Sequence, residues 1–506
     1  MLAKVIGFVL DGLSGCAVDV EVDTGVGMPS FEIVGLPDTA VKESKERVRA
    51  AVKNSGKQFP NHRLTVNLAP ADIKKEGAGL DLAIAVGIIA ATGQIGGANP
   101  SDTVFIGELS LDGTIRGING MLPLLISARD KGFKRVIIPS DNAKEAGYID
   151  GITVFKANSL KEVCDFLASG EVLQEVEKLD YLSVSENTEY VSDLKYVKGQ
   201  YVAKRAMEVA VSGNHNIIMV GPPGAGKTML AKCVPSIMPD MSFEEALETT
   251  KIHSVAGVLS DDEGIVYKRP FMTPHHTASS VALIGGGVSA RPGLISMAHN
   301  GVLFLDEMPE YPRSALECLR QPLEDRVITV SRAKASVKYP ASFMLVGSMN
   351  PCPCGNLGSK TAECKCTPSQ IQKYRARVSG PLLDRMDIRI NVGNVKYADL
   401  VKEGDEEPSA EVRKRVNRVR EIQRERFKDD GINTNGEMGE MHIKKYCKLS
   451  PKCEDILATS FESLKLSARA RSRIIKVART IADMDFSENI EERHILEAIS
   501  YRSEDI

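Results

Sequence analysis

The stretch GPPGAGKT, residues 221–228 of this 506-residue chain, constrains the fold more than any other. It satisfies G-x-x-x-x-G-K-[ST] in full and follows the apolar run HNIIMV, residues 215–220. A strand running into such a loop is the context that gives the motif meaning. Gly221, Gly224 and Gly226 let the backbone curl until its N–H groups point at phosphate oxygens, with Pro222, Pro223 and Ala225 completing the loop. The helix expected from MLAKCV adds the positive end of its dipole. Lys227 is spaced to reach the β- and γ-phosphates of ATP, and Thr228 to ligate Mg²⁺.

A second half-site follows. In GVLFLDE, residues 301–307, four apolar residues predict a buried strand with Asp306 and Glu307 at its C-terminal end. Open α/β sheets bind ligands at that end. Asp306 suits Mg²⁺ and Glu307 suits the polarisation of an attacking water. A third apolar strand, SFMLV, leads into GSMN and puts Asn350 at its tip, where it can orient that water. Strands alternating with helical segments imply a parallel sheet covered by helices, and the pattern turns wholly helical after residue 396.

Ahead of this region, AVDVEVDTG and FEIVG alternate like strands, and LPDTAVKESKERVRAAVKNSG carries helix start and stop signals. We read four parts: an α/β domain over 1–168, an acidic Ser-rich linker over 169–192, a P-loop core over 193–395 and a helical lid over 396–506. Net charge is −3, so bulk electrostatics do not announce nucleic acid, and any DNA contact must be local. No apolar run approaches the roughly 20 residues of a membrane helix, and Asp11 interrupts the apolar start. A cytoplasmic protein with no membrane partner is expected.

Several further motifs occur in a fixed order. KYVKGQ, RPFMTPHHTASSVALIGGG, RPGLISMAHNGVLFLDEMPEY, SGPLLDRMD and ARTIADM together resemble the magnesium-chelatase-like AAA+ ATPases of the YifB/ComM family over nearly the whole chain. One departure is Leu294, where the family pattern carries an acidic residue. The resemblance implies a homo-oligomeric ring, expected as a hexamer, of the helix-2-insert class, and an ATPase or helicase that drives branch migration of DNA. It places Asn350 at the sensor-1 position and makes Arg385 the arginine that reaches a neighbour's nucleotide. Arg469 would read the γ-phosphate, within its own subunit or across the interface. A chelatase-type ATPase that remodels a protein partner is the alternative.

The first domain resembles the Lon protease fold, whose serine in GPSAG pairs with a lysine in GGLK. Here the first segment reads KKEGAGLDL, with no Ser from Ala71 to Gly93, and Leu122 stands where the lysine would fall. Serine–lysine catalysis needs both groups, so the domain is expected to be catalytically empty.

RVITVSRAKASVKYPASF, residues 326–343, alternates like a hairpin with Arg332 and Lys334 at its tip. Charge alone leaves phosphate contact and a solvated tip equally open; the family resemblance favours DNA. His275 and His276 lack neighbouring ligands and read as hydrogen-bonded loop residues. Cys352, Cys354, Cys364 and Cys366 form C-x-C-x₉-C-x-C, which can close a structural Zn²⁺ site or remain four reduced thiols.

Overall fold

The computed structural model describes residues 2–95, 100–170, 172–185, 190–259, 264–287, 290–331, 336–358, 362–395, 397–401, 406–463 and 466–502. The chain forms two compact units. The first holds residues 1–186, 243–267 and 287–291; the second holds 187–242, 268–286 and 292–506.

Unit 1 is built on an eight-stranded mixed sheet. Its first strand, Leu2–Asp11, is central, pairing antiparallel with Ser14–Gly25 and parallel with Thr103–Phe105. Alternation along this strand sends Val5 and Val9 to one core and Ile6 and Phe8 to the other. The Val5 face is covered by helices Thr39–Asn54, Asp81–Ala91 and Leu160–Ser169. Asp38 caps the first of these by accepting from the Val41 N–H at 2.8 Å. The Asp81–Ala91 helix is buried almost all round, as its unbroken apolar run predicts. Gln174–Glu175, inside the stretch read as a linker, adds an antiparallel edge strand against Thr153–Ala157.

The Ile6 face is covered by helix Met121–Asp130 and by Phe243–Ala256, a helix that lies far along the chain. Leu247 packs into this core, and the Phe243 ring lies 5.5 Å from that of Tyr181. Ser254 completes the join. Its Oγ donates to buried Glu145 and accepts from the Gly120 N–H at 3.0 Å, and Glu145 also accepts from the Leu122 N–H at 2.8 Å. The buried Leu122 thus occupies the start of a capped helix.

Unit 2 carries a five-stranded, all-parallel sheet in the order Phe271–Met272, Val302–Leu305, Met344–Met349, Ile217–Val220, Ile388–Asn391. The middle strands are buried along their whole length, as their apolar sequences, interrupted only by Gly347 and Ser348, require. Helices Tyr201–Gly213, Lys227–Ile237, Ser409–Arg426 and Ala468–Met484 contribute to one core with them. An apolar stripe on Ser409–Arg426 buries Val412, Val416 and Val419 and half-buries Ile422. Among the described residues no helix is long and apolar enough to cross a membrane.

Candidate nucleotide site and cysteine cluster

Three parallel strands lie side by side in unit 2 and end together: Val302–Leu305, Met344–Met349 and Ile217–Val220. Asp306, Asn350 and Gly221 are therefore neighbours at one sheet edge, the edge where such sheets bind ligands. Gly221 has a local reason to be glycine: a Cβ there would lie 2.0 Å from the Val392 carbonyl oxygen. Its N–H donates to Met349 O at 3.2 Å, tying the loop to the adjacent strand. Gly224 and Gly226 take φ of 77° and 89°, and the second of these starts the Lys227–Ile237 helix.

Lys227 is buried, and its Nζ donates to Gly221 O at 2.7 Å, Pro222 O at 3.0 Å and Asn350 Oδ1 at 3.2 Å. Burial pushes its ammonium below the ordinary lysine value, and Asp306 and Glu307 pull it back up. Thr228 Oγ1 donates to Asp306 Oδ2 at 2.8 Å. The two oxygens assigned to Mg²⁺ from sequence are thus already adjacent. The other Asp306 oxygen accepts from Ser348 Oγ, which itself accepts from the Glu307 N–H at 3.2 Å. Glu307 is exposed and takes φ of 52°. The structure thus gathers Lys227, Thr228, Asp306, Glu307 and Asn350 around one loop.

Sequence reasoning missed two residues here. Ser348 orients the acidic pair from the neighbouring strand. Gln200, at φ 56°, donates from Nε2 to Ala225 O at 3.0 Å and Gly393 O at 2.6 Å, bridging the phosphate loop to the last strand. Its only signal was a place in KYVKGQ.

Arg385 is buried in its own chain, with Nη1 donating to Pro381 O at 2.6 Å and Nη2 paired with Glu324. Its Nε is buried without a hydrogen-bond partner. Arg469 is exposed in the first turn of Ala468–Met484. A cation is disfavoured at that end of a helix by a few tenths to about 1 kcal/mol. Neither arginine has a hydrogen bond to the phosphate loop among the described residues.

Val327–Ser331 and Ser336–Pro340 pair antiparallel, Val330 facing Val337, just before the strand Met344–Met349 that Asn350 follows. Arg332 and Lys334 lie outside the described residues. His275 is a loop residue, its Nδ1 accepting from the Thr277 N–H at 3.3 Å, with the His276 ring centred 4.1 Å away and tilted by 33°.

The four clustered cysteines converge. Cys352 Sγ lies 3.4 Å from Cys354 and 3.6 Å from Cys364, Cys354 lies 3.7 Å from Cys364, and all four sulfurs fall within 4.8 Å of one another. A tetrahedral zinc with bonds of about 2.3 Å needs sulfurs about 3.8 Å apart, so the spacing fits. Backbone N–H groups of Asn356 and Lys365 hold the Cys354 thiol down to about 6, whereas burial and the neighbouring Cys352 and Cys354 sulfurs push the Cys364 and Cys366 thiols up.

Comparison with known proteins gives the chain a family. The family model for magnesium chelatase, subunit ChlI, matches residues 193–400. Models for subunit ChlI of Mg-chelatase and for the ChlI C-terminal region match residues 20–142 and 406–502. Competence protein ComM of Haemophilus influenzae is 42% identical over 495 residues, covering 97% of this chain and 96% of that protein. The uncharacterized protein YifB of Escherichia coli is 41% identical over 495 residues, with 98% and 96% covered. Lon protease 2 of Bacillus subtilis is 31% identical over 171 residues, 30% of each chain. Near-complete coverage by relatives of this identity, together with an intact phosphate loop on a parallel sheet, makes the chain a member of the ComM/YifB family of magnesium-chelatase-like AAA+ ATPases.

Proposed function

We propose that this chain hydrolyses ATP as a homo-oligomeric ring, expected as a hexamer, and uses the energy to move DNA strands, as in branch migration. The observation that carries the ATP reading is the meeting of Lys227, Thr228, Asp306 and Asn350 at one sheet edge. In use, Lys227 turns from the loop carbonyls to phosphate oxygens, while Thr228 and Asp306 hold Mg²⁺. The metal supplies neutralisation of phosphate charge. Glu307 accepts a proton from the attacking water and Asn350 orients that water beside the γ-phosphate. Arg385 acts on the nucleotide of the adjacent subunit, and Arg469 reads the γ-phosphate from one side of that interface or the other.

The DNA reading is supported by the name of the ComM relative, a competence protein, and by the hairpin ahead of Asn350. Arg332 and Lys334 at its tip would grip phosphates without regard to sequence. Unit 1, with neither serine nor lysine in the Lon-like positions, acts in ring assembly or DNA contact and hydrolyses no peptide. The match to magnesium chelatase favours a second reading, an ATPase that remodels a protein partner.

Steady-state ATP hydrolysis, alone and with single-stranded or branched DNA, separates the two. The motor reading expects strong DNA stimulation, lost in Arg332→Ala/Lys334→Ala. Hydrolysis indifferent to every DNA tested would overturn it in favour of the protein-remodelling reading.

A further inference from the structure

We infer that Cys352, Cys354, Cys364 and Cys366 bind one zinc ion, and that this ion fixes the loop pressed against the phosphate loop, so that metal loading controls nucleotide affinity. The second half of this inference rests on the ATP-site reading above.

The metal half follows from geometry. The sulfur separations among Cys352, Cys354 and Cys364, 3.4 to 3.7 Å, are far from a disulfide bond of about 2.0 Å. They are close to the edges of a sulfur tetrahedron around one zinc ion. Cys352 is buried, whereas Cys354 is exposed and Cys364 and Cys366 are half-buried, so three corners remain open to an entering ion. The described residues between Pro351 and Thr367 form no helix or strand. A segment without backbone ladders or an apolar core needs another cross-link to keep one conformation, and four metal–thiolate bonds supply it.

The coupling half follows from what this loop touches. Asn350 precedes Cys352 by two residues and accepts from Lys227 Nζ at 3.2 Å. On its far side the loop meets the phosphate loop directly: Gly355, at φ 78°, comes so near Pro223 that a Cβ would lie 2.5 Å from Pro223 Cδ. Arg375 Nε donates to Pro351 O at 3.4 Å, bracing the start of the loop from the helix that follows it. A single short segment therefore carries the metal ligands, the Asn350 side chain and a wall of the phosphate loop. Releasing the ion frees all three together. Two sites joined in this way must influence each other equally, and couplings of this kind commonly lie between about 5- and 150-fold.

The test uses the full-length chain. Elemental analysis after purification under reducing conditions should find one zinc per chain. Binding of a fluorescent ADP analogue should weaken at least about fivefold when a chelator strips the zinc, and recover when zinc chloride is restored. Reciprocity requires saturating ADP to tighten zinc against the same chelator by the same factor. Cys364→Ser/Cys366→Ser should lose zinc and bind ADP weakly; should it fail to fold, the stripped natural chain gives the same reading. Gly355→Ala keeps all four thiols but crowds Pro223, so it should hold zinc and still bind ADP weakly. A reduced chain that takes up no added zinc would overturn the site. One zinc per chain with equal ADP affinity in loaded and stripped protein would overturn the coupling. Absence of ADP binding even when zinc is bound would sink the ATP-site reading and the coupling with it, while the zinc count stands separately.

Discussion

Glu307 stands two residues beyond the end of its strand, at a φ of 52° that a non-glycine residue adopts only at a cost of the order of 1–3 kcal/mol. Its N–H is held by Ser348. In Glu307→Gln the backbone and volume are kept and the proton acceptor is lost. We expect nucleotide to bind normally and turnover to fall by about 10²-fold or more, as read by single-turnover hydrolysis. His215 makes a prediction about pH. It is completely buried, its Nε2 hydrogen-bonds Thr480 Oγ1 at 2.8 Å, and Asp387 lies 4.0 Å from Nδ1. Burial pushes the imidazole down to about 4; Asp387 pulls it back up, and Lys476, Arg420 and Arg473 each push it down. The unfolded chain takes up its proton near 6.5, the folded chain near 4, so folding favours the neutral ring. This contribution is full above pH 6.5 and falls away between 6.5 and 4, up to about 3 kcal/mol in all. Thermal melts from pH 7.5 to 4.5 should show that slope, and His215→Gln should flatten it.

At the scale of elements, ARTIADM was visible in the sequence as a motif, but its work was not. Asp483, in the Ala468–Met484 helix, is buried and accepts from Arg426 Nη1 at 2.7 Å, Arg479 Nε at 3.1 Å and Asn435 Nδ2 at 2.8 Å. One carboxylate thus joins the helices Ser409–Arg426 and Ala468–Met484 to the turn between them. Asp483→Ala strands two arginines and should cost about 3–5 kcal/mol in chemical denaturation. The phosphate loop, Asp306 and Asn350 were legible because their chemistry is written at fixed spacing beside a strand. Gln200 and Ser348 were not, since a side chain that braces a loop 25 or 41 residues away leaves no local pattern. The pairing of Arg385 with Glu324, 61 residues apart, was equally silent. The same holds for the helix Phe243–Ala256, whose fit to unit 1 depends on Ser254 and on Gly257, where a Cβ would lie 2.6 Å from Asn119 Nδ2. Ser254→Val should remove the hydroxyl that satisfies buried Glu145 and lower the stability of unit 1 by about 1–3 kcal/mol.

For the whole molecule, the proposed ring makes each active site the property of two chains. Lys227→Ala and Arg385→Ala should each be inactive alone. Mixed together, they should regain hydrolysis, because some interfaces then unite an intact phosphate loop with an intact arginine. No recovery on mixing, with both variants still assembling by light scattering, would mean that Arg385 serves its own chain. A last consequence comes from the path of the backbone, which leaves unit 2 at residue 242 and returns at 268 after contributing to the core of unit 1. During synthesis the first 186 residues emerge without the second of the two helices that cover the Ile6 face of their sheet, Phe243–Ala256. Unit 1 cannot finish folding until the phosphate loop has also left the ribosome, so the two halves mature together, and no single protease cut can release unit 1 whole.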